Sequence, residues 1–423
     1  MLYQESLNRL LAHAVGSTPY YRERGAYRSA VDNLTGWNDL PLLEKETVQE
    51  HFADFLSEVF TGPACRDQID IRHTSGSTGQ YLNVYWYKKD TVRAAVPHWL
   101  IRRRLYGIGP TSRMVYFYTT EYQGNTLLAR EDETLAARDE KSLGFCKSGL
   151  TDTRLRQIIE RMKEYRPDWI QAQPSVVVLL ADCAEEAGGD LSALLPSLRM
   201  IELTGETLPA ATRERLSRVF GCPVVNFYGC NEMGSIALDT GEGFRCFDSN
   251  VYLECLSDGL PAADGDEGDL YATTLTNRAM PLIRYRTGDR GRLWRQADGS
   301  TRLELTSGRT SDFIVTPGGR RINAYVLLRP VDMINQRMGE IIRQFQVIQE
   351  GPRQFRCRLA VKEAYRGWGG TLRELFIENL REDELKEADW TFEIASHLFP
   401  ADRTGKLAFF LDRRPAEGGE QHG

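Results

Sequence analysis

The sequence predicts an α/β protein: a large N-terminal domain of layered β-sheets flanked by helices, with a small barrel-like subdomain, followed by a small α+β C-terminal domain. Three observations predict it. From Met114 to Phe227 strand-like and helix-like runs alternate, the β-α-β-α-β pattern of a parallel, layered sheet. Three β-rich runs, Leu270 to Thr274, Ile283 to Arg286 and Arg292 to Trp294, follow one another with no long helix among them, as in an antiparallel or barrel-like unit. Near Gly308 the texture changes, and about 100 residues of mixed helix and strand remain, a normal small-domain size. Residues 1–308 and 313–414 are therefore expected to form separate domains.

Leu7, Leu10 and Leu11 stand at helical spacing in residues 3–13, and Ser17-Thr18-Pro19 closes that helix. Pro41 to Lys45 is expected to open a helical region running to about Phe55. Ile69 to His73 and Tyr81 to Trp86 read as strands around the hydroxyl-rich loop Thr74-Ser75-Gly76-Ser77-Thr78-Gly79, which places that loop at a hairpin tip. Met114 to Tyr118 is a buried strand; Leu155, Ile158, Ile159 and Met162 form a helical stripe ending before Pro167. Trp169-Ile170 is a short strand, and Val176, Val177, Leu179, Leu180 and Cys183 mark the next helix. Leu198 to Leu203 is a strand, Pro209 opens a helix that ends before Gly221, and Val224 to Phe227 is a strand again. In the last domain a helix is expected over Val326 to Met338 and another over Thr371 to Asn379. Strands are expected near Phe345 to Ile348, Phe355 to Val361, Trp390 to Ile394 and Phe409 to Leu411. The Gly/Glu-rich tail from Pro415 is expected to be disordered.

A chain of 423 residues with 41% hydrophobic and 26% charged residues has the composition of a globular, multidomain protein. Its 53 basic and 59 acidic side chains leave a net charge of −6, which gives no global attraction to nucleic acid or to an anionic membrane. No apolar run approaches the roughly 20 residues of a membrane span. Met1-Leu2-Tyr3-Gln4-Glu5 lacks a basic leader segment, so a cytoplasmic location is expected. The eight cysteines are scattered without a Cys-x-x-Cys pair. Cys222, Cys230, Cys246 and Cys255 form a loose group with no histidine among them, so buried thiols are expected and zinc is not.

Thr74 to Gly79 suits a phosphate cradle, because glycines admit a ligand close to backbone N–H groups while Ser75, Ser77 and Thr78 add small donors. An ordinary polar turn has the same composition. A Walker loop is excluded, since no second glycine stands five residues after Gly76 ahead of Lys and Ser/Thr. Four further stretches follow: Thr204-Gly205-Glu206, then Phe227-Tyr228-Gly229-Cys230-Asn231-Glu232, then Tyr285-Arg286-Thr287-Gly288-Asp289, and finally Asp402-Arg403-Thr404-Gly405-Lys406. Gly308-Arg309 with Asp312 lies between the last two. Singly each has a plain structural reading as a strand stop or a solvated turn. Tyr116, Phe117, Tyr118 and Tyr122 are equally compatible with an aromatic substrate slot and with core packing.

Taken in order, these motifs resemble those of the adenylate-forming enzymes, the superfamily of acyl-CoA synthetases, peptide-synthetase adenylation domains and luciferases. Tyr20-Tyr21-Arg22 and Leu43-Glu44-Lys45-Glu46 look most like its phenylacetate–CoA ligase branch, and the resemblance spans about residues 15–410. It implies that Thr74 to Gly79 cradle the ATP β- and γ-phosphates. Tyr228, beside Phe227, Gly229 and Asn231, would face adenine, and Thr204, Gly205 and Glu206 would line the adenine edge and part of the acyl pocket, with Tyr118, Tyr122 and Gly229. Glu232 would ligate Mg²⁺. Asp289 would bind the ribose hydroxyls and Arg309 the ribose or phosphate. Lys406 would neutralise charge building at the α-phosphate. The C-terminal domain would rotate about a hinge at 309–312 between two half-reactions, acyl-adenylate formation and transfer to CoA.

Departures from the family pattern are Gln80 in place of the lysine that usually follows the loop, Asn231 in place of Thr or Ser, and Ser311 in place of a hinge Asp or Lys. Arg245 and Cys246 stand where zinc-binding relatives carry a histidine. The leading expectation is an ATP- and Mg²⁺-dependent ligase joining a small, aromatic carboxylic acid to CoA. Alternatives keep the adenylation and change the partner: an amine, a carrier-protein thiol, or nitrite activated for an arylamine. A catalytically silent nucleotide-binding scaffold is the third reading. The oligomeric state is left open, a homodimer included.

Overall fold

The computed structural model describes residues 3–31, 34–73, 82–118, 122–123, 126–127, 136–139, 141–146, 150, 152–205, 208, 210–307, 313–338, 341–395, 398 and 409–414. Two compact units emerge. The first joins Met1–Thr74 and Leu82–Pro110 to Val225–Gly308; the second holds Thr111–Val224 and Arg309–Gly423, with Ser75–Tyr81.

The first unit is an antiparallel sheet with helices of the N-terminus packed on it. Its strands run in the order Leu260–Pro261, Val251–Ser257, Glu267–Thr274, Tyr285–Arg295, Thr301–Ser307, Phe244–Cys246, Gly234–Asp239, Val224–Cys230. The region expected to be antiparallel or barrel-like is antiparallel, and the two short runs read around Ile283 and Arg292 are one long strand, Tyr285–Arg295. Helices Gln4–Ser17, Pro19–Arg22 and Gly25–Ala30 bury Leu7, Leu11, Tyr21 and Tyr27 against Leu253, Leu270 and Ala272 in one core. Arg284, almost wholly buried, ties this layer down: it pairs with Glu254 at 3.2 Å and donates to the carbonyls of Asn38 and Leu40, both at 2.7 Å.

Pro41 to Glu44 is not helical. Leu43 is paired in parallel with Tyr285, its N–H donating to Arg284 O and its carbonyl accepting from Arg286 N, each at 2.9 Å, and the helix begins only at Lys45. Hydrogen bonding to a distant strand outweighs the local helical preference.

A hairpin of Ile69–His73 with Asn83–Tyr87 leads into helix Lys88–Tyr106, which the sequence pattern does not announce. The reason is its inverted polarity. The residues it buries are Asp90, Ala94, His98 and Arg102, while Val92, Val96, Leu100 and Leu105 face solvent.

The second unit contains the predicted alternating region. Strands Met200–Thr204, Trp169–Ala172, Met114–Tyr118 and Ser142–Cys146 are parallel neighbours in that order, and Ala136–Asp139 closes the edge antiparallel. Helices Asp152–Tyr165, Pro174–Glu186 and Ala210–Phe220 cover one face, enclosing Val115, Ile170 and Ile201. The C-terminal part has its own core: a sheet ordered Asp389–Ala395, Gln354–Val361, Ile342–Gln349, Phe410–Asp412 with helices Leu328–Met338 and Gly369–Glu378. A small hairpin, Phe313–Val315 with Arg321–Asn323, precedes it. Among the described residues no helix is long and apolar enough to cross a membrane.

Candidate active site

The site is built where two motif segments of the first unit meet. Strand Val224–Cys230 turns back into Gly234–Asp239, and the register shifts between Tyr228 and Gly229. Such an irregularity re-aims a side chain out of the ladder. Gly229 is required there, since a Cβ would lie 2.6 Å from both Gly234 O and Phe227 Cζ. The Tyr228 hydroxyl donates to Asp289 Oδ2 at 2.8 Å.

Asp289 is presented by a second irregularity. Tyr271 pairs with Arg286 and Asp269 with Arg290, so Thr287, Gly288 and Asp289 swing out between two ladder pairs. Each residue type has a task. Thr287 Oγ1 donates to Leu270 O at 2.9 Å and accepts from Asp289 N at 3.1 Å, and Gly288 takes φ +76°, a conformation costly for any side chain. Arg286 binds Asp269 at 3.0 Å and faces Glu44 at 3.7 Å. Burial disfavours its charge, yet those two carboxylates hold Arg286 above its usual pKa.

Glu232 is buried beside the same strand. Its Oε1 accepts from Tyr285 Oη at 3.1 Å and faces Lys45 Nζ at 3.8 Å. Lys45, the first residue of helix Lys45–Glu50, is delivered there by the Leu43–Tyr285 pairing two residues before it. Burial first, and the Glu232 charge second, raise both the Tyr285 hydroxyl and the Cys230 thiol well above their ordinary ranges. Both therefore stay protonated, and Tyr285 remains a donor to the carboxylate. A buried carboxylate held by a hydroxyl fits Mg²⁺, which takes one or two hard protein oxygens and completes its shell with phosphates and water.

The remaining predicted residues are distributed as follows. Phe227 stacks on His98, with ring centroids 4.5 Å apart. The Asn231 carbonyl accepts from Trp86 Nε1 at 2.7 Å, which fixes the turn before Glu232. Thr204 and Gly205 belong to the second unit, where Thr204 ends a parallel strand and Gly205 takes φ +86°. Tyr118 closes strand Met114–Tyr118 and Tyr122 lies in the two-residue strand Tyr122–Gln123. Thr74, Ser75, Gly76, Ser77, Thr78, Gly79, Glu206, Arg309, Lys406 and the hinge Thr310 to Asp312 lie outside the described residues. Sequence reasoning gave no role to Lys45, Tyr285 or Thr287, although all three stand inside the motifs it singled out.

The sequence profile of the AMP-binding enzyme family matches residues 39–251, and the chain belongs to that family. It is an adenylate-forming ligase of the phenylacetate–CoA ligase-like branch. The phenylacetate-coenzyme A ligase of Escherichia coli is 27% identical over 336 residues, covering 75% of this chain and 72% of that one. That of Thermus thermophilus is 26% identical over 409 residues, covering 92% and 85%. Among solved structures, 2-hydroxyisobutyryl-CoA ligase in complex with 2-HIB-AMP and CoA superposes with a TM-score of 0.60 at 17% identity, covering 97% of this chain and 88% of that one, a likeness of fold.

Proposed function

We propose that the enzyme activates a small, aromatic carboxylic acid as its acyl-adenylate and transfers the acyl group to CoA. The carrying observation is the pair of reciprocal links, Tyr228 to Asp289 and Tyr285 to Glu232, which bind the two motifs of the first unit to each other. Asp289, fixed by Tyr228 and Thr287, accepts from the ribose hydroxyls of ATP. The Tyr228 ring, beside Phe227, Gly229 and Asn231, offers its face to adenine, and Thr204, Gly205 and Glu206 serve the adenine edge and the acyl group, with Tyr118 and Tyr122. Glu232, oriented by Tyr285 and Lys45, holds Mg²⁺; the ion, when bound, draws charge from the phosphates. Thr74 to Gly79 donate to the β- and γ-phosphates, Arg309 binds the ribose or phosphate, and Lys406 neutralises the α-phosphate as it is attacked.

In the first step a carboxylate oxygen attacks the α-phosphorus and the α–β bridge breaks, its electron pair leaving with pyrophosphate. In the second the CoA sulfur attacks the acyl carbon and AMP departs. Rotation about 309–312 separates the steps. A cytoplasmic location and action as a monomer or homodimer are part of the same proposal.

The test is pyrophosphate release across a panel of aryl acids, with and without CoA. Release that becomes thioester formation when CoA is added is the expected result. Release that never yields a thioester favours an amine or carrier-protein acceptor, AMP formation with nitrite and an arylamine alone favours diazotisation, and no AMP from any of them leaves a nucleotide-binding scaffold.

A further inference from the structure

The carboxylate proposed to hold Mg²⁺ stands in a tight turn. Cys230 pairs with Gly234, so Asn231, Glu232 and Met233 alone connect strands Val224–Cys230 and Gly234–Asp239. Gly234 closes the turn at φ +72°, a left-handed conformation that favours glycine.

One side chain braces both ends of this turn. Trp86 is wholly buried and comes from strand Asn83–Tyr87, whose alternation turns Val84 and Trp86 inward. Before Glu232, its indole Nε1 donates to the Asn231 carbonyl at 2.7 Å. After Glu232, its ring lies against Gly234, where a Cβ would come within 3.3 Å of Trp86 Cη2. Met233, also wholly buried, belongs to the same core. The indole is held in turn by Arg72, whose guanidinium carbon lies 4.7 Å from the ring centroid and whose Nη2 donates to Thr91 Oγ1 at 2.8 Å.

A peptide unit is planar, so the Asn231 oxygen, the Glu232 nitrogen and the Glu232 Cα move as one. Pinning that oxygen fixes the plane from which the Glu232 side chain departs toward Tyr285 and Lys45. The bond is made to the main chain and owes nothing to the side chain at 231. Mg²⁺ is exacting about such placement, because it demands near-ideal octahedral geometry at short bonds.

We propose that Trp86 is a positioning residue for the metal: through Asn231 it sets where the Glu232 carboxylate stands, and so how strongly Mg²⁺ tightens the binding of ATP. The inference rests on the role proposed above for Glu232 and adds the residue that sets its geometry. Trp86 also follows residues 74–81 in the chain, so the strand that leaves the proposed phosphate loop braces the proposed metal ligand.

The experiment measures the affinity of the full-length protein for ATP by calorimetry, with and without Mg²⁺, beside thermal melting. Trp86→Phe keeps a buried ring and removes the N–H. Expected is a loss of about tenfold to hundredfold in the gain that Mg²⁺ brings, with the affinity for metal-free ATP unchanged. Glu232→Gln removes the same gain, and the double variant loses no more than Glu232→Gln alone, because the indole acts through that carboxylate. If Trp86→Phe does not fold, replacement of Trp86 by benzothienylalanine, which keeps the bicyclic ring and lacks the N–H, carries the same expectation. A variant that melts earlier yet keeps the whole Mg²⁺ gain overturns the inference and leaves Glu232 in place, the indole then being core packing only. A further loss in the double variant overturns it too. A wild type whose ATP affinity ignores Mg²⁺, or a Glu232→Gln that keeps the gain, removes Glu232 from the metal and the inference with it.

Discussion

Two hydroxyl-to-carboxylate bonds decide the chemistry at the residue scale. Tyr285 donates to Glu232 from full burial, and a hydrogen bond to a charged group contributes about 1.5–3 kcal/mol. Tyr285→Phe is therefore expected to raise the KM for MgATP by about tenfold or more and to lower the melting temperature as well. Initial rates at varied MgATP check it, and an unchanged KM would remove Tyr285 from the proposed metal site. The cysteines make a contrasting case. Burial pushes the Cys222 thiol up to about 12, so in the native protein it is a protonated apolar side chain. The sign of its pH dependence follows: labelling by a thiol reagent at pH 8 is expected to be about a thousandfold slower than for an unshifted thiol, rising about tenfold per pH unit through pH 11. Mass-spectrometric mapping of the Cys222 peptide in native and denatured protein measures this.

At the scale of elements, helices with an apolar stripe, such as Asp152–Tyr165, are legible because their period is local and their buried face is hydrophobic. Lys88–Tyr106 is illegible because its buried face is polar, and Asp90 and His98 on that face are matched from far along the chain. Asp90, wholly buried, takes Arg278 at 2.9 Å, and His98 stacks on Phe227. Arg284 poses the same problem in the sheet, an arginine where the pattern calls for a core residue. Arg284→Met leaves Glu254 buried without its counter-ion, so a loss of about 3–5 kcal/mol is expected, read from urea denaturation midpoints. A loss below about 1 kcal/mol would mean that the carboxylate simply takes up a proton. Gly229→Ala is expected to cost about 1–3 kcal/mol by overpacking and to displace Tyr228 from Asp289, detected as a lower melting temperature together with weaker nucleotide binding.

For the whole molecule, the proposed two-step reaction needs Lys406 in only one step. Lys406→Ala is expected to slow pyrophosphate release by about 10²–10³ or more while nucleotide binding is nearly kept, measured by single-turnover assay beside calorimetry. Unchanged turnover would take Lys406 out of the adenylation step. The chain by itself determined the alternation of strand and helix between Met114 and Phe227 and the ordered motifs of an adenylate-forming enzyme. Both are written in local periodicity and in short runs whose chemistry is carried by the residues present. Only the tertiary structure decided that Tyr228 meets Asp289, 61 residues away, that Pro41 to Glu44 runs extended to carry Lys45 to Glu232, and that the buried Glu202 accepts from Gln171 on the neighbouring strand. The physical reason is register. Which residue of one strand stands opposite which residue of another is fixed by packing and hydrogen bonding over the whole sheet, and no local period encodes it.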